Sequence, residues 1–310
     1  MSRSSFASRD ALALILAAAS WGLGTVISKW ALLEIPPLVL LPIQLAASLV
    51  VLAVLMRRQR LRFGAGDGAA LLGRLGILNP GLAYALSLVG LVSISVSLSV
   101  LLWALEPLMI LIFAGLVLRE RIGPPLVVLS LVAAAGMVLV TYDPGSRGQW
   151  AGVALALAGI GCCAVYTVVA RRWIGTSDST VQVVATQQAY ALAFAVVVAI
   201  GAALFGGGVQ LGTISLGAWL SAAVSGVLYY AAAYWLYLTA LRGVPASFAS
   251  TSFYLIPVFG VAGGLLLLHE QLDGRQWIGV GVVVVAVLWI ARLSVARSGP
   301  QLLGSRGDAG

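Results

Sequence analysis

The chain has 310 residues, of which 61% are hydrophobic and 9% charged, and its mean hydropathy is +1.05. A soluble domain is roughly half apolar and about a quarter charged. So few polar residues cannot clothe a water-facing surface, which excludes a soluble enzyme, a disordered chain and a nucleic-acid binder and points to a polytopic membrane protein. The net charge of +8 sits in short basic clusters between apolar runs, the pattern of topology signals.

The first apolar run follows Arg3 and Arg9 and continues past Ser20 to Leu33. That is the length of a full span, not of a signal-peptide core. Ten all-α spans are predicted in chain order, at 11–33, 37–56, 69–90, 94–118, 124–142, 150–170, 180–204, 215–240, 245–268 and 275–295. Residues 1–10 and 296–310 form tails. With the N-terminus inside, Arg57, Arg58, Arg60, Arg62, Arg119, Arg121, Arg171, Arg172, Arg242 and Arg297 fall on the inner side. Only Lys29, Arg147 and Arg275 fall opposite. That asymmetry predicts an inner (plasma) membrane protein with both termini in the cytoplasm.

The two halves resemble each other. A shift of 150 carries Gly76, Tyr84, Ser97, Pro107 and Glu120 onto Gly226, Tyr234, Ser247, Pro257 and Glu270, with about 13 of roughly 45 positions identical. A shift of about 143 carries Gln44 onto Gln187 and Trp30 onto Trp173. Two repeats are predicted, at 11–142 and 150–295. Each has five helices, an odd number, so the second runs through the membrane inverted. Such repeats form a midplane site between the halves.

The residues also resemble a known family, the EamA-type transporters of the drug/metabolite transporter superfamily. Trp21-Gly22 followed by Lys29 is similar to that family's first-helix pattern. Pro107 with Leu118-Arg119-Glu120, and Pro257 with Leu268-His269-Glu270, are similar to its mid-helix proline and terminal Leu-Gly-Glu. Arg119 and His269 stand where the family has Gly, and Gln44 where members often carry Arg. The resemblance implies movement of amino acids, nucleobases, amines or drugs, often outward.

Intramembrane charge is costly and marks functional sites. Glu106 lies near the middle of the fourth span and is the candidate for proton coupling, for a substrate amine, or for a structural pair. Its repeat counterpart is Ile256. Lys29 would snorkel to the outer interface, pair with Glu106 or meet a substrate carboxylate. Trp21, Tyr84, Trp103 and Tyr234 are candidate pocket aromatics, able to hold flat rings or organic cations. Gln44 and Gln187 offer neutral hydrogen bonds to a substrate or between helices. Pro107 and Pro257 are candidate hinges. Glu120 and Glu270 have basic neighbours, Arg121 and Arg275, and read as ion pairs or gate latches.

His269 is the sole histidine, and Cys162 and Cys163 are adjacent, so no catalytic or metal-binding set is expected, nor any cofactor. There is no Gly-Lys-Ser/Thr phosphate loop. The expected function is secondary-active transport of a small metabolite such as an amino acid or drug. It would work by alternating access, as an exporter, with coupling through Glu106. An uncoupled exchanger or channel is the alternative, and a membrane-embedded enzyme a more distant one. The expected partners are the substrate, the lipid bilayer and, through the fifth and tenth helices, a second copy in a homodimer. No nucleic acid is expected.

Overall fold

A computed structural model of the chain describes residues 3–63, 69–106, 109–110, 113, 124–141, 149–170, 179–205, 211–240 and 250–298. Pro107, Arg119, Glu120 and Arg121 lie outside the described residues. Among the described residues every regular element is helical.

The chain opens with α1 (Arg3–Ala31) and α2 (Pro37–Arg58). Pro36 and Pro37 start α2 where a missing N–H costs nothing. Next, α3 (Ala69–Gly76) passes through a widened π-type turn (Ile77–Leu82) into α4 (Ala83–Ser93). Then come α5 (Val96–Trp103), α6 (Pro124–Thr141), α7 (Gln149–Ala170) and α8 (Thr180–Phe205). A second π-type turn (Val227–Ala232) joins α9 (Leu216–Gly226) to α10 (Ala233–Ala240). A 3-10 turn (Ser250–Leu255) leads into α11 (Ile256–Leu267), and α12 (Gly274–Ser298) follows. Among the described residues six segments are long and apolar enough to cross a membrane: Arg9–Ala31, Pro37–Arg58, Gly73–Ser93, Gln149–Val169, Val181–Phe205 and Leu216–Tyr237.

Two of these segments are not the uninterrupted helices predicted for 69–90 and 215–240. Each changes to a π-type turn at the same repeat position, since Ile77–Leu82 plus 150 is Val227–Ala232, and the first is broken there as well. Asn79 takes an extended conformation (φ −141°, ψ 115°) beside Pro80, which has no N–H to donate. No proline marks the second break, where Tyr229 and Tyr230 stand in place of Asn79 and Pro80. Pro257 is also corrected. It was expected in mid-helix, yet it occupies the first turn of α11, where proline begins a helix without bending it. The change of helix type lies just before it.

Packing runs between the halves. A Cβ placed on Gly76 would strike the backbone of Gln187, and one on Gly226 would strike the backbone of Gln44. Both contacts join repeat-related residues, each glycine meeting the glutamine of the other half. Thus α2 lies against α9, and α8 against α3. The long helices α6 and α12 pack on each other.

Polar residues sit inside and apolar ones outside. Gln44, Ser48, Gln188 and Ser225 are buried, whereas Val197 is 69% and Phe205 93% exposed. Water would punish that distribution and lipid rewards it. Gly76→Val and Gly226→Val should each lower stability by about 1–3 kcal/mol through overpacking. Gly201→Ala, with open space around its Cα, should leave thermal melting in detergent unchanged.

Candidate functional site

Broken helices at membrane depth are tolerated where they line a cavity. One lies beside the second π-type turn, which supplies Tyr229 and Tyr230 to its wall. Its aromatic wall is Tyr84 and Trp103 with Tyr229 and Tyr230. Tyr84 stacks on Trp103 at 5.3 Å between ring centroids and 13° between planes. Tyr229 and Tyr230 meet Tyr84 edge-on at 5.3 and 5.2 Å. The opposite wall carries hydroxyls, from Thr25 and Ser28 of α1, Ser87 of α4 and Ser99 of α5, with Leu88 and Leu91 completing it.

The Tyr84 hydroxyl lies within electrostatic reach of those of Tyr229 and Tyr234. Tyr84 and Tyr234 are repeat counterparts, so the structure brings a residue to its own image. Behind Tyr234 lies a second aromatic cluster, in which Trp21 meets Tyr234 at 5.4 Å, Tyr237 at 5.9 Å and Phe253 at 5.3 Å. Glu106 is close enough to act electrostatically on Tyr229, Tyr234 and Tyr237.

The buried amides tie helices together. Gln44 Nε2 donates to Ser28 Oγ and Ser225 Oγ, both at 2.8 Å, while its Oε1 is buried without a partner. Ser48 donates to Gln188 Oε1 at 2.6 Å, and Gln188 Nε2 donates to the Tyr230 carbonyl at 2.9 Å. Gln187 Nε2 donates to Tyr166 Oη at 2.6 Å.

Of the residues singled out in the sequence, Tyr84 and Trp103 line the cavity. Tyr234 and Trp21 back it, and Gln44 stands one side chain behind Ser28. Gln187 is bonded to Tyr166 and does not line it. Thr25, Ser28, Ser87 and Ser99 were not singled out as site residues. A signal for the hydroxyls existed: each lies three or four residues from a candidate aromatic or from another hydroxyl on the same helix.

At one end of the bundle, charges meet helix ends. Lys29 does not reach Glu106. Its Nζ donates to the Leu91 carbonyl at 2.5 Å, that of Ile94 at 2.8 Å and that of Val92 at 3.1 Å, capping the C-terminus of α4. The Glu270 carboxylate accepts from Val96 N at 2.6 Å, Ser97 N at 3.0 Å and Ser97 Oγ at 2.6 Å, covering the N-terminus of α5. Gly264 leaves room for it, since a Cβ there would come within 2.6 Å of Glu270 Oε2. The expected pair of Glu270 with Arg275 is not formed; Arg275 reaches Asp273 at 3.5 Å. Glu34 accepts from Ser215 N and Ser215 Oγ, both at 2.7 Å, at the start of α9. Glu270 and Glu34 each join one half of the chain to the other.

The turn that aims Glu270 explains a departure from the family pattern. His269 has φ 53°, the left-handed region that glycine enters freely. His269→Gly should therefore raise stability by about 1 kcal/mol, read as a higher melting temperature. The Ser215 amide and hydroxyl hold the Glu34 carboxyl below its ordinary range. A depressed carboxylate keeps its contact until pH falls through the lowered value. The melting-temperature difference between wild type and Glu34→Gln should thus persist from neutral pH to about 4.3, the ordinary glutamate value, and vanish only in stronger acid.

The EamA-like transporter family matches residues 9–142 and again residues 150–292. No curated protein matches the chain. A solved structure described as "Crystal structure of protein" is 20% identical, with a TM-score of 0.62 over 96% of this chain and 100% of that one. At that identity the likeness is one of fold alone. The double family match covers nearly all of the sequence, and the chain belongs to the EamA-like transporter family, within the drug/metabolite transporter superfamily.

Proposed function

We propose that the chain is a secondary-active exporter of small metabolites or drugs, built as two inverted five-helix repeats (11–142 and 150–295) with ten spans. The tails at 1–10 and 296–310 and both termini lie in the cytoplasm of a cell whose inner membrane holds the protein. The observation that carries the reading is a cavity lined from both halves of the chain, by Thr25, Ser28, Tyr84 and Trp103 of the first and by Tyr229 and Tyr230 of the second π-type turn. Discontinuous helices at the interface of inverted repeats are the usual setting of a carrier's binding site. Arg57, Arg58, Arg60 and Arg62 are exposed beyond the end of α2 opposite Glu34, which supports that end as the cytoplasmic one. The capped end with Lys29, Glu34 and Glu270 is then the outer gate, closed in this conformation.

Glu106 is the coupling residue in this reading. Among the described residues no cation lies within salt-bridge distance of it. A carboxylate held in an apolar bundle without a countercharge binds and releases a proton as its surroundings change. Its neighbours Tyr229 and Tyr234 link it to the cavity wall.

The test uses purified protein in proteoliposomes with a panel of amino acids, nucleobases and organic cations. The expected result is saturable counterflow, accelerated by a pH gradient. Glu106→Gln should keep the counterflow and lose the response to the gradient. Non-saturable flux would replace the carrier with a channel, and a fully gradient-responsive Glu106→Gln would remove the coupling role.

A further inference from the structure

A cavity wall recognises a ligand by the donors and acceptors it has left over. A hydroxyl has one proton and two lone pairs. Thr25 Oγ1 donates its proton to the Trp21 carbonyl at 3.1 Å, Ser28 Oγ to that of Gly24 at 2.7 Å and Ser87 Oγ to that of Ala83 at 2.9 Å. Each bond returns to the residue's own helix, four positions back. Lone pairs are what these three hydroxyls retain for the cavity.

The ammonium of Lys29, bonded to the wall residue Leu91, is equally committed. An ammonium has three N–H donors. All three of Lys29 are taken by the carbonyls of Leu91, Val92 and Ile94. Both amide hydrogens of Gln44 go to Ser28 and Ser225, and its orphaned Oε1 is a further buried acceptor behind the wall. The amide cannot be turned round, because the Ser28 and Ser225 protons already go to the carbonyls of Gly24 and Ala222. The donors that remain are neutral, the Trp103 indole and the hydroxyls of Ser99 and the tyrosines. A carboxylate or phosphate placed here would lack a countercharge and most of its hydrogen bonds, a costly burial. A protonated amine would meet oxygen lone pairs, aromatic faces and, beneath the tyrosines, the Glu106 carboxylate.

We infer that this cavity selects flat organic amines bearing N–H donors and rejects carboxylates and phosphates. The inference rests on the transporter reading above and narrows its substrate class. Recognition goes through N–H groups as well as charge, so a quaternary ammonium, with charge and no N–H, should be the poorer ligand.

Three indole probes separate these terms: tryptamine, its N,N,N-trimethyl derivative and indole-3-acetate. Binding to the full-length protein in detergent is read by thermal shift, and exchange by counterflow in proteoliposomes. Tryptamine should bind and exchange, the trimethyl derivative bind at least about tenfold more weakly, and indole-3-acetate fail to compete at hundredfold excess. Thr25→Val keeps the shape and removes a lone-pair donor; it should weaken tryptamine about threefold to tenfold, whereas Thr25→Ser should not. Indole-3-acetate binding as well as tryptamine, a trimethyl derivative equal to tryptamine, or binding of none of the three overturns the inference. Tryptamine binding without exchange supports the amine class and counts against the carrier. Exchange of indole-3-acetate alone supports the carrier and overturns the amine class.

Discussion

Backbone N–H and C=O groups at a broken helix end have no water to turn to inside a bilayer, and this protein is built around satisfying them. Its charged residues are few, and at one end of the bundle they are placed on helix termini. Lys29 covers the open carbonyls of α4, Glu270 the open amides of α5, and Glu34 the first amide before α9. Each pairing joins a full charge to the helix-dipole end of opposite sign. The same end is thereby held together across the two halves, and the cavity begins just below, where Leu91 is both a Lys29 acceptor and a wall residue.

The second constraint is close approach. At Gly76 and Gly226 the backbone of one half touches the backbone of the other at Gln187 and Gln44. Immediately after each glycine the helix widens into a π-type turn. A widened turn displaces the residues that follow it around the helix axis, and here those residues are Tyr84 and Tyr234. Tight contact, helix break and paired tyrosines are thus one device used twice.

Much of this was legible in the sequence, and the limits were physical. Hydropathy gave the membrane class and the register of 150 the two copies, because both signals are spread over many residues, whereas the family rested on the resemblance of Trp21-Gly22, Lys29 and the two proline-to-glutamate motifs. The breaks at Ile77 and Val227 were not legible, since a π-type turn needs no marker residue; Pro80 hinted at the first and nothing at the second. Pro257 misled because a proline inside a long apolar run looks the same whether it bends a helix or starts one. Glu270 reads in sequence as an ion pair or a gate latch, and its partners, the amides of Val96 and Ser97 and the Ser97 hydroxyl, lie more than a hundred residues away, where no local spacing announces them. The aromatic half of the site was visible as residue type. The hydroxyl half was not, because serine and threonine are ordinary in apolar helices and only geometry tells which of them face a cavity. Pro107 and Glu120 fall outside the described residues.

The approach of Tyr84 to Tyr234 carries a consequence for how such a chain arises. A residue that lies beside its own counterpart marks the symmetry axis, as in a two-fold dimer of identical subunits. In a pair of separate, identical subunits, one tyrosine codon would supply both sides of that approach. It would equally supply two copies of whatever stood at the position of Glu106. Two carboxylates would then face one small apolar space, and their mutual repulsion would work against charging either. Joining the copies in one polypeptide lifts that restriction, and Ile256 stands opposite Glu106 in the repeat. The paired tyrosines keep the ancestral symmetry, while the lone acid is a feature that only a fused, diverged duplication can hold.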